Sequence, residues 1–344
     1  MVVCAVRRSA YQLDIALMLH RNRQSGKIKT KQLGRIMVIA YISHHDCQLH
    51  DMGPGHPEQP ARLSAISNRL IASGLEMVLR QYSAPLATRE HLEAVHDRAY
   101  VDEIFAASPT EGLAWIDGDT AMNRYSLHAA LRAAGAVAMG VDLVMEDEVK
   151  QVFCAVRPPG HHAERHRAMG FCLFNNIAVG AYHALNRYGL KRIAIVDFDA
   201  HHGNGTEDIV TGDKRVLFCS TFQHPFYPHS GFDSTATGIV NVPLAAGSNG
   251  SAFREAVDSH WVPRLAEFAP ELILISAGFD AHQADNMTGL NLVDSDFAWV
   301  TRRLCEQAEK SAEARIVSSL EGGYELHALA RSVEAHIKAF IGDS

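Results

Sequence analysis

The chain has 344 residues, 47% of them hydrophobic and 21% charged. That balance excludes a disordered chain, and the length allows a core that folds without a disulfide or metal staple. A net charge of −7 argues against phosphate-driven nucleic-acid binding while leaving cationic substrates open, and no run reaches the ~18 unbroken apolar residues of a membrane span.

Residues 1–36 stand apart. They hold eight Lys or Arg against a single acid, Asp14, which leaves −14 on the rest of the chain. A short apolar stretch, Tyr11 to Leu19, precedes the basic run, the reverse of a signal peptide's order. An amphipathic targeting segment would share this composition. A basic extension outside the core fits better, because Met37 opens a clean apolar run, MVIAYI. From there, apolar β-branched runs recur at 37–42, 151–156, 192–199, 216–222, 239–244, 272–280 and 315–320. Most are apolar on both faces, as strands of a covered parallel sheet are. Helical patterns lie at 60–73, 88–107, 124–146, 176–188, 250–268, 294–311 and 325–341. This alternation, with no internal repeat or linker, predicts an α/β fold with one domain over 37–344. In such sheets ligands sit beyond the carboxyl ends of the strands. The six cysteines include no C-x-x-C pair, which suits a reducing, cytoplasmic setting.

Chemically capable residues do gather at the strand ends. The second element to end this way, VRPPGHHAERHRAMGFC, places His161 and His162 in a loop fixed by Pro-Pro-Gly just beyond 151–156. Next to a metal, such a pair serves as general base and acid. The run RIAIVDFDAHHGNG ends in Asp197, Asp199 and His201, at i, i+2 and i+4, so all three share one side if the strand persists that far. Burying two carboxylates and an imidazole together is costly unless a cation compensates; solvated acids in a turn are the bland alternative. A third ligand, Asp280 of LILISAGFDAH, would complete Asp/His/Asp with an open position, the pattern of a catalytic zinc site. Finally, SLEGGYE sets Tyr324 behind two glycines, where its hydroxyl could serve a developing oxyanion. On local sequence alone, a packed tyrosine in a Gly-rich turn fits at least as well.

Together these motifs resemble the zinc-dependent histone deacetylase superfamily, which includes bacterial class II-like deacetylase-like amidohydrolases and acetylpolyamine amidohydrolases. The resemblance is carried by HDMGPGHPEQPARL (50–63), RPPGHHA (157–163), GFCLFNN (170–176), DFDAHHGNGTE (197–207), AGFDAH (277–282) and EGGYE (321–325), in the family's order. It implies an arginase–deacetylase fold, a mainly parallel eight-stranded sheet wrapped by helices, with the catalytic domain over 37–344. It implies one catalytic Zn²⁺ on Asp199, His201 and Asp280, a set that also accepts Fe²⁺. His161 and His162 match the tandem catalytic histidines, Asp197 the carboxylate that orients His161, and Tyr324 the tyrosine that polarises the substrate carbonyl. Asn204 matches the partner of His162; a neutral partner would stabilise a charged imidazole less than a carboxylate would. A structural K⁺ is implied on oxygens of Asp197, Asp199, His201, Ser220 and Thr221.

The family's substrate channel matches Phe171 on one wall and Phe226 or Tyr227 opposite, with Tyr227 the closer fit, flanked by Gly170, Gly322 and Met287. Met287 lies about where a polyamine-selective branch carries Glu, which tilts the expected partner toward an acetylated lysine peptide or protein. The acidic body would attract an acetylated polyamine too. HDMGPGHPEQP is expected to shape the entrance, with Asp51, His56 and Glu58 as rim candidates. Neither nucleic acid nor membrane is expected as a partner, and a homo-oligomer is compatible with the sequence. A two-manganese ureohydrolase of the same fold would need further bridging carboxylates, and a silent acyl-lysine reader would usually lack Tyr324 or a ligand.

Overall fold

The computed structural model describes residues 38–342; the expectations for residues 1–36 lie outside them. Eight strands form one sheet: β1 (Ile39–Ser43), β2 (Leu79–Ser83), β5 (Gln151–Cys154), β6 (Ile193–Asp197), β7 (Val216–Gln223), β8 (Ile239–Leu244), β9 (Leu272–Ala277) and β10 (Ile316–Leu320). Their order is β2-β1-β5-β10-β9-β6-β7-β8, and each neighbouring pair is parallel. A separate two-stranded hairpin pairs β3 (Ala114–Trp115) with β4 (Ala121–Met122).

The helices cover both faces. They are α1 (Asp46–Leu49), α2 (Ala61–Ala72), α3 (Arg89–Glu93), α4 (Arg98–Ala107), α5 (Ser126–Met145), α6 (Asn176–Arg187), α7 (Asn204–Val210), α8 (Gly250–Ala256), α9 (Val262–Phe268), α10 (Asp294–Ser311) and α11 (Leu326–Ile341). Every residue of β5, β6, β9 and β10 is buried, which explains their largely apolar sequences, broken only by Gln151, Asp197, Ser276, Ser318 and Ser319. Helix α5 is long and apolar enough to cross a membrane by length and composition alone; 72% of its apolar window is buried here within the fold. Its Gly140 lets it lie directly on Val152 and Val317 of the sheet.

Three details depart from the sequence reading. The edge strand β2, LRQYS, has no apolar run, and its Arg80 and Gln81 face solvent. The 88–107 pattern divides at Asp97, whose extended backbone starts α4. The 250–268 pattern is α8 and α9 joined by a π turn, Val257–Trp261.

Because the sheet is parallel, all its carboxyl ends lie along one edge. The loops that carry the chemistry leave β5, β10, β9 and β6, four consecutive neighbours. Behind them, on the core side, His336 of α11 is wholly buried among Phe153, Phe198, Phe279 and Phe340. The Thr301 hydroxyl donates to the Phe297 carbonyl (2.6 Å), so it accepts from His336 Nδ1 (2.6 Å), leaving Nε2 to accept from Ser318 (3.0 Å). Burial holds this imidazole at about 3 and His96 at about 4. Each refuses a proton that the unfolded chain binds below about pH 6.5, so stability falls as pH falls, by up to about 1.4 kcal/mol per pH unit per group. Urea unfolding measured from pH 7.5 to 5 should show this loss beginning near 6.5, and His336→Gln should flatten the slope by close to one proton.

Candidate active site

Strand β6 ends at Asp197, two residues earlier than its apolar run suggests. The convergence of Asp197, Asp199 and His201 therefore does not come from strand alternation. It comes from a turn in which each carboxylate caps the backbone two residues on: Asp197 Oδ1 accepts from the Asp199 amide (3.0 Å) and Asp199 Oδ1 from the His201 amide (2.9 Å). Asp280, beyond β9, meets this turn. Its Oδ2 stands 2.9 Å from His201 Nδ1, which is 3.1 Å from Asp199 Oδ1. The ligand atoms of Asp199, His201 and Asp280 all lie within 4.8 Å of one another, and all three residues are buried. Burial first, and then the neighbouring Asp199 charge, push Asp280 up to about 7. Two buried carboxylates with one imidazole form a donor set that a divalent cation satisfies and that is costly without one. The fit is tight: a Cβ on Gly322 would stand 2.5 Å from both Asp199 Oδ2 and Asp280 Oδ2, and the Gly322 amide instead donates to Asp199 (2.8 Å).

The tandem histidines lie beside this triad, their ring centroids 4.0 Å apart. His161 Nδ1 is 2.9 Å from Asp197 Oδ2, and His162 Nδ1 is 2.7 Å from Asn204 Oδ1, the first residue of α7. The two environments push in opposite directions. Burial lowers His161, but Asp197 and Asp199 outweigh it and hold it up at about 10. His162 is lowered by burial and by the charges of His161 and His201. Titratable pairs driven apart in this way mark acid and base assignments.

The loop after β10 brings Tyr324 to the same point. Burial and the nearby Asp280 keep its phenol far above the ordinary range, so the hydroxyl remains a neutral donor. Two carboxylates that the sequence did not single out hold this loop. Glu321 Oε2 accepts from the Gly160 (2.6 Å) and His161 (3.2 Å) amides, tying it to the histidine loop. Asp285 Oδ2 accepts from the Tyr324 (2.6 Å) and Glu325 (3.0 Å) amides, while its Oδ1 accepts from Met287 (3.0 Å). Glu58 is not on the rim: it is wholly buried between Arg157 and Arg62, and Arg62 donates to the carbonyls of Glu321 and Gly323. Its motif reads as an exposed loop because one of the two partners, Arg157, lies 99 residues away.

Above the floor opens a pocket of about 240 Å³, lined by Asp119, His162, Gly170, Phe171, His201, Phe226, Tyr227, Met287 and Tyr324. Gly170 and Phe171 both have left-handed backbones (φ 55° and 70°). For Phe171 that is a strained state, of order 1–3 kcal/mol, which the Thr120 hydroxyl helps hold by accepting from its amide (3.0 Å). The result is a ring edge-on to Tyr324 (5.9 Å) and to His56 (4.7 Å). Phe226 and Tyr227 both line the opposite wall, Phe226 against His201 and Tyr227 against His162. Asp119, on the β3–β4 hairpin, went unnoticed in the sequence because IDGDT reads as an ordinary turn. His56 contacts its carbonyl (3.2 Å), and Asp51 is exposed and caps Gly53. Ser220 and Thr221 lie buried on β7, with Ser220 in register with Asp197.

A sequence model of the histone deacetylase domain matches residues 56–340. The chain belongs to the histone deacetylase family. A probable deacetylase of Archaeoglobus fulgidus is 37% identical over 299 residues, spanning 84% of this chain and 82% of that one. Polyamine deacetylase HDAC10 of Homo sapiens is 36% identical over 328 residues, which cover 89% of this chain and 48% of HDAC10. The solved HD domain of HDA15 aligns with a TM-score of 0.84 at 33% identity, covering 90% of this chain and 89% of that domain. The parallel eight-stranded sheet is thus that of the arginase–deacetylase fold.

For this deacetylase the closeness of Gly322 to the two aspartates is a direct test. Gly322→Ala should reduce deacetylation by more than a hundredfold while the far-UV circular dichroism spectrum stays that of the parent.

Proposed function

We propose that the protein is a zinc-dependent amidohydrolase that removes the acetyl group from acetyl-lysine in peptides or proteins. One observation carries the reading: a pocket lined by Phe171 and Tyr227 reaches His162, Tyr324 and His201, the imidazole of the Asp199/His201/Asp280 triad. Two aromatic plates suit a methylene stem, and the neutral acetamide then meets the polar floor.

Zn²⁺ held by Asp199, His201 and Asp280 would supply a Lewis acid for the amide carbonyl and lower the pKa of the attacking water. The chain's own groups do the rest. The Asn204 carbonyl oxygen fixes the Nδ1–H tautomer of His162, so Nε2 is free to take the water proton. The Tyr324 hydroxyl donates to the carbonyl oxygen as negative charge develops there. His161, held cationic by Asp197, makes protonated His162 a strong acid, and His162 passes its proton to the departing amine. The buried Ser220, in register with Asp197, supports the same reading for a potassium ion on Asp197, Asp199, His201, Ser220 and Thr221. The five described cysteines are all unpaired, which supports a reducing, cytoplasmic setting.

A second reading rests on Asp119. Its carboxylate at the pocket wall would also receive the distal ammonium of an acetylated polyamine, the substrate class in the name of HDAC10. Met287, apolar on the same wall, favours the lysine stem.

Turnover of acetyl-lysine peptides should exceed that of N-acetylputrescine, with a hydroxamate chelator abolishing both; the reverse order would give the polyamine reading. Metal analysis should find one tightly bound Zn²⁺ or Fe²⁺ per chain, and two manganese ions would overturn the proposal. Tyr324→Phe should lower kcat by about 10²–10³ with the metal retained; near-normal turnover would remove Tyr324 from the mechanism.

A further inference from the structure

The neutral partner of His162 does not stand alone. Asn204 Nδ2 donates to Glu164 Oε1 at 2.7 Å, the same separation as between Asn204 Oδ1 and His162 Nδ1. The two ends of one amide are thus committed in opposite directions. An Asn side chain can present either its oxygen or its nitrogen, and which one it presents is decided by its partners. A carboxylate only accepts, so Glu164 compels the Asn204 nitrogen to face it and the oxygen to face His162. That oxygen in turn compels a proton onto His162 Nδ1 and leaves Nε2 bare. Were the amide reversed, its NH₂ would face Nδ1, the proton would move to Nε2, and the imidazole could no longer accept from water.

We infer that Glu164 is a positioning residue for the deacetylation reaction, locking the orientation of the Asn204 amide and through it the tautomer of His162. The inference rests on the reading of His162 as the base. Glu164 is well placed for this task. Its own amide is tied to the Arg167 carbonyl (2.9 Å), and its main-chain carbonyl accepts from His96 Nδ1 (2.8 Å), so its backbone is fixed from two sides. The carboxylate lies in the wall of an outward cleft, and its side chain is 16% exposed, so it keeps some contact with water. The charge that would be costly directly against His162 sits one amide further out. Arg167 also reaches Glu164 (2.9 Å) but is itself largely exposed, and an exposed pair of this kind contributes little.

The lock can be moved by one position. In N204D/E164Q the new carboxylate faces His162 Nδ1 and the new amide donates to it, so the His162 tautomer is fixed as before. N204D alone sets two carboxylates against each other. We expect E164A to lower kcat about tenfold with KM within twofold, R167Q to change neither by more than twofold, and N204D/E164Q to turn over faster than N204D alone. ¹⁵N NMR of the histidine nitrogens, in metal-free and zinc-loaded protein, should show a protonated Nδ1 and a bare Nε2 for His162 in the parent and in the double variant, and a mixture in Glu164→Ala. Unchanged His162 signals in Glu164→Ala, or a double variant no faster than N204D, would overturn the inference. His162→Ala separates the two layers: if it keeps more than a tenth of parental turnover, the base assignment itself fails. If it is inactive while E164A matches the parent, only the role of Glu164 fails.

Discussion

Two buried aspartates sharing one imidazole set the terms for the rest of this fold. Asp199 and Asp280 are both fully enclosed, and each stands about 3 Å from His201 Nδ1. Such a cluster is unfavourable in an apolar core unless a cation and hydrogen bonds answer its charge. The parallel sheet supplies the means. With β5, β10, β9 and β6 adjacent and pointing the same way, four loops arrive at one place with their backbone amides available. The amides of Ala200 and Gly322 go to the aspartates themselves, and Gly322 is small enough to let the two carboxylates approach.

The same solution recurs one layer out. Glu321 and Asp285 are buried acids whose partners are mainly amides of neighbouring loops, so each fastens one loop to another while having its own charge satisfied. The Arg62–Glu58–Arg157 cluster works in the opposite sense, with the Arg62 guanidinium taking up the carbonyls of Glu321 and Gly323. Breaking such a buried cluster by removing one member typically costs about 3–5 kcal/mol, because the remaining charges are left unanswered. The loop bearing Tyr324 is thereby held by donors on one side and acceptors on the other. Catalytic geometry needs that rigidity more than it needs any single contact.

What the sequence displayed follows from distance along the chain. Asp199 and His201 share a five-residue motif, the histidines are adjacent, and the buried strands are mostly apolar runs, so local pattern sufficed for these. Glu164, Asp285 and Glu321 act through partners 39 to 161 residues away, apart from short-range ties such as Asp285 to Met287, and Asp119 reaches the pocket from the separate hairpin. Nothing in their immediate neighbours marks them. Glu58 shows the converse error: a Gly- and Pro-rich surrounding reads as an exposed rim, whereas Arg157, 99 residues on, draws it into the core. The β2 strand was missed for another reason. At a sheet edge, half its side chains meet water, so it lacks the apolar run by which its neighbours declare themselves.

The floor and the mouth of the pocket are therefore under different constraints. Every group on the floor is fixed from several strands at once, and a change there disturbs the charge balance of the whole cluster. The walls come from Phe171 on a strained turn, Met287 beside Asp285, and Asp119 on a two-stranded hairpin outside the main sheet. None of these three belongs to a strand of the eight-stranded sheet, so each can vary without moving the aspartates. On the proposed reading, the chemistry resides where the fold cannot change, and the choice between a lysine stem and a polyamine would reside where it can. On that reading, an apolar residue at 287 and a carboxylate at 119, both lining the pocket, pull that choice in opposite directions, so substrate selection would turn on these loops rather than on the sheet.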